Sequence, residues 1–297
     1  MRDKISACII TYNEEENIRR CIESVTWCDE VVVVDSFSKD RTREICLEYT
    51  DQVHQQEWGG YIAQRNYIRK LASCPWVFFL DADEEVSTAL REEIEREFEQ
   101  GNEEIDGYEF PRQVYYLGKW IRFGEWYPDI KLRLFRKERG RSCGVEPHDQ
   151  VHVDGTVKRL RSPILHYTYV GLFDHVNTMN RFSSISAHAK HAQGLKFRWI
   201  DFIFRPPWRF FRGYILRLGF LDGLRGLLIA VVSAYGVRMK YAKLWEEQWR
   251  HAEHDPDSGP AGRDSKDYTR TVESYRQKVH QTESRHPQPR WNDKDVL

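Results

Sequence analysis

The sequence predicts an α/β fold in which a mostly parallel sheet is covered by helices. Strand-like and helix-like segments alternate through about the first hundred residues. The stretch "EVVVVD", residues 30–35, is a continuous β-branched run, which is typical of a strand buried on both faces of a parallel sheet. Repeated β-α units of this kind imply right-handed crossovers between parallel strands.

The elements follow one another in a regular order. The run "KISACIITY", residues 4–12, predicts the first strand, and "EEENIRRCIESV", residues 14–25, has the apolar spacing of a helix. Asn13 and Glu16 have the spacing of a capping box, which predicts that this helix begins there. The next predicted elements are a strand at 30–35, a loop and helix within 36–50, a short strand at 51–56, a helix at 61–73 and a buried strand at 76–81.

The periodicity changes in the second half of the chain. From about Gly107 to His166 the segments are shorter and predict mixed or antiparallel strands. The stretch from Leu172 to His191 predicts another helix. The composition shifts sharply after Phe197, and after His254 it becomes a polar tail.

Composition excludes several classes of protein. The formal net charge is −1 over 297 residues, which excludes a strongly basic nucleic-acid binder, so no nucleic-acid partner is expected. The N-terminus lacks the pattern of a signal peptide, and no segment reaches the roughly 18 uninterrupted apolar residues of a membrane-spanning helix. The six cysteines form no CxxC pair and no metal-ligand spacing, which favours a reducing cytoplasm.

Carboxylates crowd the end of the last buried strand. Asp81, Asp83, Glu84 and Glu85 all lie within five residues there. Like charges this close resist ionisation, so a cation is expected among them. Asp81 and Asp83 are spaced to reach one Mg²⁺ or Mn²⁺ ion, which would neutralise a diphosphate. The alternative is the acidic start of a helix, but the position beyond a buried strand favours the metal site.

Two other strand ends are polar and are expected at the same edge of the sheet, where ligands of such folds bind. They are the stretch 11–14, "TYNE", and Asp35. Asp35 is placed to accept a hydrogen bond from a base or a ribose hydroxyl, and its alternative role is a helix cap. Arg65, in "AQRNYI", is placed to pair with a phosphate or with the acidic cluster, and a solvated helix arginine is the alternative.

Together these stretches resemble a known family. "ACIITYNEEENIRRCIESV", "VVVVDSFSKDRT", "AQRNYI" and "VFFLDADEEV" occur in the order and spacing of the family 2 glycosyltransferases of the GT-A fold, and the resemblance covers roughly residues 4–195. "YPDIKLRLFRK", "PHDQVHVDG" and "RPPWRFFRGYILRLGFLDGLRGLL" are similar to the bacterial branch that includes lipopolysaccharide-core glucosyltransferases. The resemblance implies a Rossmann-like GT-A sheet and an enzyme that uses a nucleotide-sugar donor.

The resemblance also implies roles for the residues at the strand ends. Thr11, Tyr12, Asn13 and Glu14 would line the nucleotide pocket, and Asp35 would contact the base or ribose.

The same resemblance implies a metal site and charged residues around the diphosphate. Asp83 would be the main ligand of Mg²⁺ or Mn²⁺, and Asp81 would approach both the ribose and the metal. The metal and Arg65 would stabilise the departing nucleoside diphosphate.

A general base is needed for the acceptor hydroxyl in an inverting transfer. The family places an acid in a His-acid pair after the "RLF" strand, and in "GVEPHDQVHVDG" that pair is His148 and Asp149. Because the family usually has Glu where Asp149 stands, nearby Glu146 is the alternative base. A further alternative is that both acids are turn residues.

Residues 197–244 combine cations with large apolar side chains. Nine Lys or Arg residues stand against two acids, Asp201 and Asp222, with Trp, Phe and Leu interleaved. This composition predicts amphipathic helices that rest on an anionic membrane surface. The alternative is a helix pair packed on the catalytic domain, with arginine stems covering apolar surface.

The sequence therefore predicts a catalytic domain at 1–195, divided at about 105 into a nucleotide-sugar half and an acceptor half, then membrane-associating helices at 196–252 and a polar tail at 253–297. The reaction that the resemblance implies is an inverting, metal-dependent transfer of a hexose, with UDP-hexose as the expected donor, to a hydroxyl of a membrane-associated glycan or glycolipid such as lipopolysaccharide core. The predicted location is the inner face of the cytoplasmic membrane. The alternatives are a polyprenyl-phosphate sugar synthase and a non-catalytic membrane-binding scaffold.

Overall fold

A computed structural model describes residues 2–101, 103–145, 148–169 and 171–253. Parallel strands form the first half of its ten-stranded sheet. They are β1 (Ile5–Thr11), β2 (Glu30–Asp35), β3 (Val53–Gln55) and β4 (Trp76–Asp81), arranged in the order β3-β2-β1-β4. All seven residues of β1 are buried, as expected for a strand covered on both faces.

Helices cover the two faces of these strands. They are α1 (Ile18–Glu23), α2 (Thr42–Leu47), α3 (Tyr61–Leu71) and α4 (Thr88–Gln100). Alternate residues of β1 pack on opposite faces: Ile9 packs in the cluster of α1, α2 and α4, whereas Ile10 packs in the cluster of α3. Each such fully buried side chain contributes roughly 1.5–3 kcal/mol to stability.

The capping box predicted at Asn13 and Glu16 does not form. Asn13 has a left-handed backbone (φ 53°), and α1 begins later, at Ile18. Asn13 is instead part of the loop that leaves β1, where its side chain holds a neighbouring loop. The predicted helix start at Asn13 is therefore wrong, because this residue belongs to the loop after β1.

Mixed strands extend the sheet beyond β4. These strands are β5 (Glu84–Val86), β6 (Gly107–Tyr116), β7 (Lys119–Trp120), β8 (Asp129–Arg136), β11 (Val157–Arg159) and β12 (Ile164–His166). The sheet continues from β4 in the order β8-β6-β12-β5, with β8 antiparallel to both of its neighbours. A separate antiparallel ribbon is formed by β9 (Gly140–Val145) and β10 (His148–Val153). The predicted α/β class, with a helix-covered sheet whose first strands are parallel, is confirmed.

The last part of the described chain is helical. It contains α5 (Leu172–Ala192), α6 (Trp199–Phe211), a π-helical turn (Arg212–Leu216), a 3₁₀ turn (Gly219–Asp222) and α7 (Leu224–Glu253). The long helix α7 packs against both α5 and α6. Across the described residues, no helix combines the length and hydropathy that crossing a membrane requires.

Polar contacts join these helices to the sheet. The side chain of Glu125, in the loop before β8, is nearly fully buried and pairs at 2.5 Å with Arg209 of α6, whose side chain is 39% exposed. Asp222 accepts hydrogen bonds from the backbone N–H groups of Arg122 (3.1 Å) and Phe123 (2.9 Å). The C-terminal helices are therefore anchored to one loop of the sheet. The division into domains at residue 195 stays a prediction, and the polar tail from residue 254 lies outside the described residues.

Candidate active site

The three polar strand ends lie side by side. In the parallel pairing, Thr11 is opposite Asp35, and Ile10 is opposite Asp81. The carboxyl ends of β1, β2 and β4 therefore meet at one edge of the sheet, which is where ligands of such sheets bind.

The loop after β1 is tied to the loop after β2. The Asn13 side-chain oxygen accepts a hydrogen bond from the backbone of Lys39 at 2.8 Å, while the Asn13 N–H donates to Ser38 Oγ at 2.9 Å. Tyr12, between these contacts and the strand, is half exposed, whereas Thr11 is buried. Burial raises the pKa of the Glu14 carboxyl. These four residues therefore follow β1 at the same sheet edge as Asp35 and Asp81. That they line a nucleotide pocket stays a prediction.

Asp35 is fully buried and fixes the second loop. Its carboxylate accepts hydrogen bonds from the Ser38 N–H at 3.1 Å, from the Ser38 hydroxyl and from the Gln55 side chain at 3.1 Å. The bonds to Ser38 close the turn after β2. The helix cap that the sequence left as the alternative does not form, because α2 begins only at Thr42, with Arg41 at its N-cap. A role for Asp35 on the base or ribose stays a prediction.

Asp81 lies between two arginines. Arg65 of α3 donates to its Oδ1 at 2.5 Å, and Arg133 of β8 donates to its Oδ2 at 2.7 Å. Burial alone would raise the pKa of Asp81, but the guanidinium groups of Arg133 and Arg65 hold it well below its usual range. Both carboxylate oxygens of Asp81 are therefore engaged by protein cations.

Glu84 is the second acid of the cluster that arginines neutralise. Its fully buried side chain pairs with Arg112 and Arg133, each at 3.2 Å, and it accepts a hydrogen bond from the Asp81 N–H at 3.0 Å. Arg112 also pairs with Asp129 at 2.7 Å. The cations that the crowded acids require are thus largely arginines from β6, β8 and α3.

Asp83 has a different partner. Its Oδ2 lies 3.0 Å from Nε2 of His166, at the end of β12, and its side chain is about a quarter exposed. Nδ1 of His166 is buried and, among the described residues, has no hydrogen-bond partner. The sequence analysis did not predict a role for His166. The pairing of β12 with β5 brings it to Asp83, and no local sequence pattern indicates that pairing.

Asp83 and His166 are the residues here that could hold one divalent ion, with a diphosphate completing its coordination. Mg²⁺ is commonly bound through one or two carboxylates together with phosphate oxygens and water, and imidazole nitrogens suit transition-metal ions. In the parts of the chain that are described, no group of three or more His, Cys, Asp or Glu residues forms a closed metal cage. A carboxylate and an imidazole nitrogen at a partly exposed edge are compatible with such an open site.

Asp149 reaches this network from the β9–β10 ribbon. Its Oδ2 accepts from Arg65 at 2.8 Å and from the Ser142 hydroxyl at 3.0 Å, and its side chain is largely buried. Its Oδ1 has no partner among the residues that the structure describes. Glu146, the alternative base, lies outside the described residues, and of His148 only the backbone, paired in β10, is described.

Two exposed aromatic residues lie at the start of α3. Trp58 and Tyr61 form an edge-to-face pair with ring centroids 4.8 Å apart, and both are more than a third exposed. Burial raises the pKa of the Tyr61 hydroxyl, and the nearby charge of Asp81 adds to the effect. Tyr61 lies one helical turn before Arg65, so this pair is on the same side of α3 as the charge network.

Comparison with known proteins gives the family. The model of "Glycosyl transferase family 2" matches residues 6–159. The chain is 31% identical over 259 residues to the lipopolysaccharide core biosynthesis glycosyltransferase LpsC of Rhizobium meliloti, covering 84% of this chain and 93% of that protein. It is 32% identical over 255 residues to the uncharacterized glycosyltransferase RT0209 of Rickettsia typhi, covering 82% and 87%.

Among solved structures, the crystal structure of S. aureus TarS 1-349 matches with a TM-score of 0.42 and 16% identity, covering 88% of this chain and 95% of that one. The family match spans the strand ends and the charge network described above, and the similarity to LpsC confirms the predicted branch. The chain belongs to glycosyl transferase family 2 and is a glycosyltransferase.

Proposed function

We propose that this glycosyltransferase moves a hexose, with inversion, from a nucleotide sugar such as UDP-hexose to a hydroxyl of a membrane-associated glycan or glycolipid, such as lipopolysaccharide core. The observation that carries the proposal is the Arg65 bridge. One guanidinium joins Asp81, at the donor edge of the sheet, to Asp149, the predicted base. Donor and acceptor groups would therefore meet within the span of a single side chain.

Asp83 and His166 are the residues that would hold the divalent ion. When bound, such an ion supplies positive charge to a leaving diphosphate. Asp83 is partly exposed and is paired with the imidazole of His166, whereas both oxygens of Asp81 are paired with arginines. Asp81 would then act by fixing Arg65 and Arg133 beside the diphosphate, where their charges favour its departure.

Asp149 would take the proton of the acceptor hydroxyl through Oδ1. Arg65 and Ser142 both donate to Oδ2, which orients the carboxylate and leaves Oδ1 available to the acceptor hydroxyl. A base that is anchored in this way needs no reorganisation when the hydroxyl arrives. The polyprenyl-phosphate alternative needs no such base, because a phosphate acceptor is already an anion.

The acceptor would be presented at a membrane surface. Trp199, Phe204, Trp208 and Leu224, from α6 and the start of α7, are each more than half exposed. Arginines are interleaved with them along the same helices. Large exposed aromatic side chains among cations are typical of helices at an anionic membrane interface, which would place the enzyme on the inner face of the cytoplasmic membrane.

Calorimetry of a nucleoside-diphosphate panel, with and without Mn²⁺, tests the donor site. The wild type and Asp83→Asn would be compared at equal protein concentration. Metal-dependent binding of one nucleotide that weakens at least about tenfold in the variant supports the proposal. Equal binding by both proteins contradicts the metal role of Asp83, and no binding of any nucleotide contradicts the proposed donor site.

A further inference from the structure

One end of the β9–β10 ribbon is packed into the core. Val153 and Phe135 belong to the same buried apolar cluster, and the backbone of Gly140 lies so close to Phe135 that a Cβ there would overlap its ring. Asp149 lies near the opposite end, where β10 begins. A two-stranded ribbon is marginally stable by itself, so contacts beyond the packed end decide where Asp149 lies.

Asn66 of α3 holds the ribbon at the middle of β9 through both groups of its amide. Nδ2 donates to the Ser142 carbonyl oxygen at 2.8 Å, and Oδ1 accepts from the Ser142 N–H at 3.1 Å. Both main-chain groups of Ser142 therefore point away from β10 and toward α3. Asn66 makes the pair of hydrogen bonds that a third strand would make at this position of β9, and Ser142 is only 3% exposed.

Ser142 in turn holds Asp149. Its hydroxyl donates to Oδ2 at 3.0 Å, beside the bond of 2.8 Å from Arg65. In the ribbon Asp149 pairs with Gly144, so Ser142 is its diagonal neighbour on the same face. Arg65 and Asn66 are consecutive in α3, and together they fix the carboxylate and the backbone beside it.

We infer that Asn66 is a positioning residue for the general base: by holding the main chain of Ser142, it sets where the ribbon presents Asp149 to the acceptor hydroxyl. The inference rests on the proposed role of Asp149 and adds the contact that orients it. Both amide groups of Asn66 are used on Ser142, so its effect on the reaction would pass through the ribbon. A displacement of about 1 Å at a reacting group can lower a rate by about a hundredfold.

Hydrogen–deuterium exchange of the full chain tests this contact without any substrate. We expect Asn66→Ala to speed exchange of the Ser142 amide by about tenfold or more, because that N–H then loses its acceptor. Arg69→Met is the matched control on the same helix. It removes the bond of 2.7 Å from Arg69 to the Lys137 carbonyl, which lies before the ribbon, and should change Ser142 exchange by less than about twofold.

Steady-state kinetics with UDP-glucose and deacylated lipopolysaccharide core test the effect on the base. We expect Asn66→Ala to lower kcat by about tenfold or more, while the KM for UDP-glucose stays within about twofold. Arg69→Met should keep kcat within about twofold of the wild type. Asn66→Ser, whose single hydroxyl cannot replace both bonds to Ser142, should change exchange and kcat in the same direction, which keeps the test valid if Asn66→Ala does not fold.

A double variant separates positioning from a purely structural role. In the Asp149→Asn background, Asn66→Ala should lower kcat by less than about twofold further, because the group that it positions is already absent. A loss of the full size in that background overturns the inference, because Asn66 would then act on something other than Asp149.

Other outcomes separate this inference from the proposed function. Unchanged Ser142 exchange in Asn66→Ala, or equal losses of kcat in Asn66→Ala and Arg69→Met, overturns the inference alone. Wild-type kcat in Asp149→Asn contradicts the proposed base and the inference with it. A strong loss of kcat in Asp149→Asn beside a fully active Asn66→Ala leaves the proposed base in place and overturns the role of Asn66.

Discussion

Asp81 and Asp83 are two residues apart in sequence, yet the structure separates their surroundings completely. Asp81 is held by Arg65 and Arg133, whereas Asp83 lies against His166. The sequence predicted a divalent metal ion for both acids and offered Arg65 as a partner of the acidic cluster. Arg65 does pair with Asp81, whereas the metal ion stays a prediction. Arg133 was not predicted, because it lies 52 residues away along the chain and reaches Asp81 only through the insertion of β8 beside β4.

Replacing each acid by Asn should show that Asp81 contributes mainly to stability, whereas Asp83 contributes little to it. Asp81→Asn removes the charge that two buried guanidinium groups share, and leaves Arg65 only Asp149 and Arg133 only Glu84 as a partner among the described residues. We therefore expect it to lower the free energy of unfolding by about 2 kcal/mol or more. Asp83→Asn, at a partly exposed position, should change that free energy by less than about 1 kcal/mol. Urea denaturation of the two variants measures both values. Equal destabilisation would contradict the division of roles.

Ser142 is the second residue for which the structure gives a role that the sequence did not suggest. Ser142→Ala removes one of the two donors that hold Oδ2 of Asp149. We expect kcat to fall by about tenfold while the KM for the donor stays within about twofold, because only the orientation of the base changes. Steady-state kinetics test this, with Ser142→Thr as the variant that keeps the hydroxyl and should retain activity. A change in donor KM alone would contradict a positioning role.

At the scale of elements, the strand and helix order was predictable as far as β4. Continuous β-branched or apolar runs identify β1, β2 and β4, because strands buried on both faces leave no room for polar residues. The order of the later strands was not predictable. β12 is parallel to β6 and antiparallel to β5, an arrangement set by packing between distant segments.

The element α5 is anchored to the sheet by a buried histidine. His175 is fully buried, with Nδ1 2.9 Å from the Tyr116 hydroxyl and its ring against Trp126 and Tyr169. Burial lowers the pKa of His175 to about 4. Its neutral form is therefore the one that the folded protein accommodates.

Stability should consequently fall when this imidazole is protonated in the unfolded chain. The unfolded pKa is about 6.5, so the contribution is complete above that pH and is lost as the pH falls toward 4, by up to about 1.4 kcal/mol per pH unit. Urea denaturation between pH 7 and pH 5 should show this slope, and it should be smaller in His175→Gln. His188→Gln removes an exposed histidine and should keep the slope of the wild type. Equal slopes in all three proteins would contradict the assignment.

At the scale of the whole molecule, the exposed aromatic surface of α6 distinguishes this chain from an ordinary soluble domain. The composition of residues 197–244 predicted amphipathic helices, and α6 and α7 are helices with large apolar side chains in solvent. The sequence left open whether these side chains are buried on the sheet. The structure answers this for α6, where Pro206 is the only buried residue within the helix as described.

Removing this surface should abolish membrane binding without affecting the fold. We expect the triple variant Trp199→Ser, Phe204→Ser and Trp208→Ser to lose at least about tenfold in affinity for phosphatidylglycerol vesicles in sedimentation assays. Binding of the wild type should weaken as salt rises from 0.05 to about 0.5 M, because arginines contribute to it. Trp245 and Trp249 are also exposed, at the far end of α7, and their replacement by Ser is the matched control. Similar losses in both variants would contradict a specific membrane face.

The ion pair between Glu125 and Arg209, together with the hydrogen bonds that Asp222 accepts from the backbone of residues 122–123, has a geometric consequence. A surface that is fastened in this way cannot swing freely relative to the sheet edge that carries Asp83 and Asp149. The distance between the membrane surface and the reacting centre would then be fixed. Only an acceptor whose hydroxyl lies at that distance from the membrane would react. Acceptor length, as much as acceptor chemistry, would then decide which sugar chain is extended.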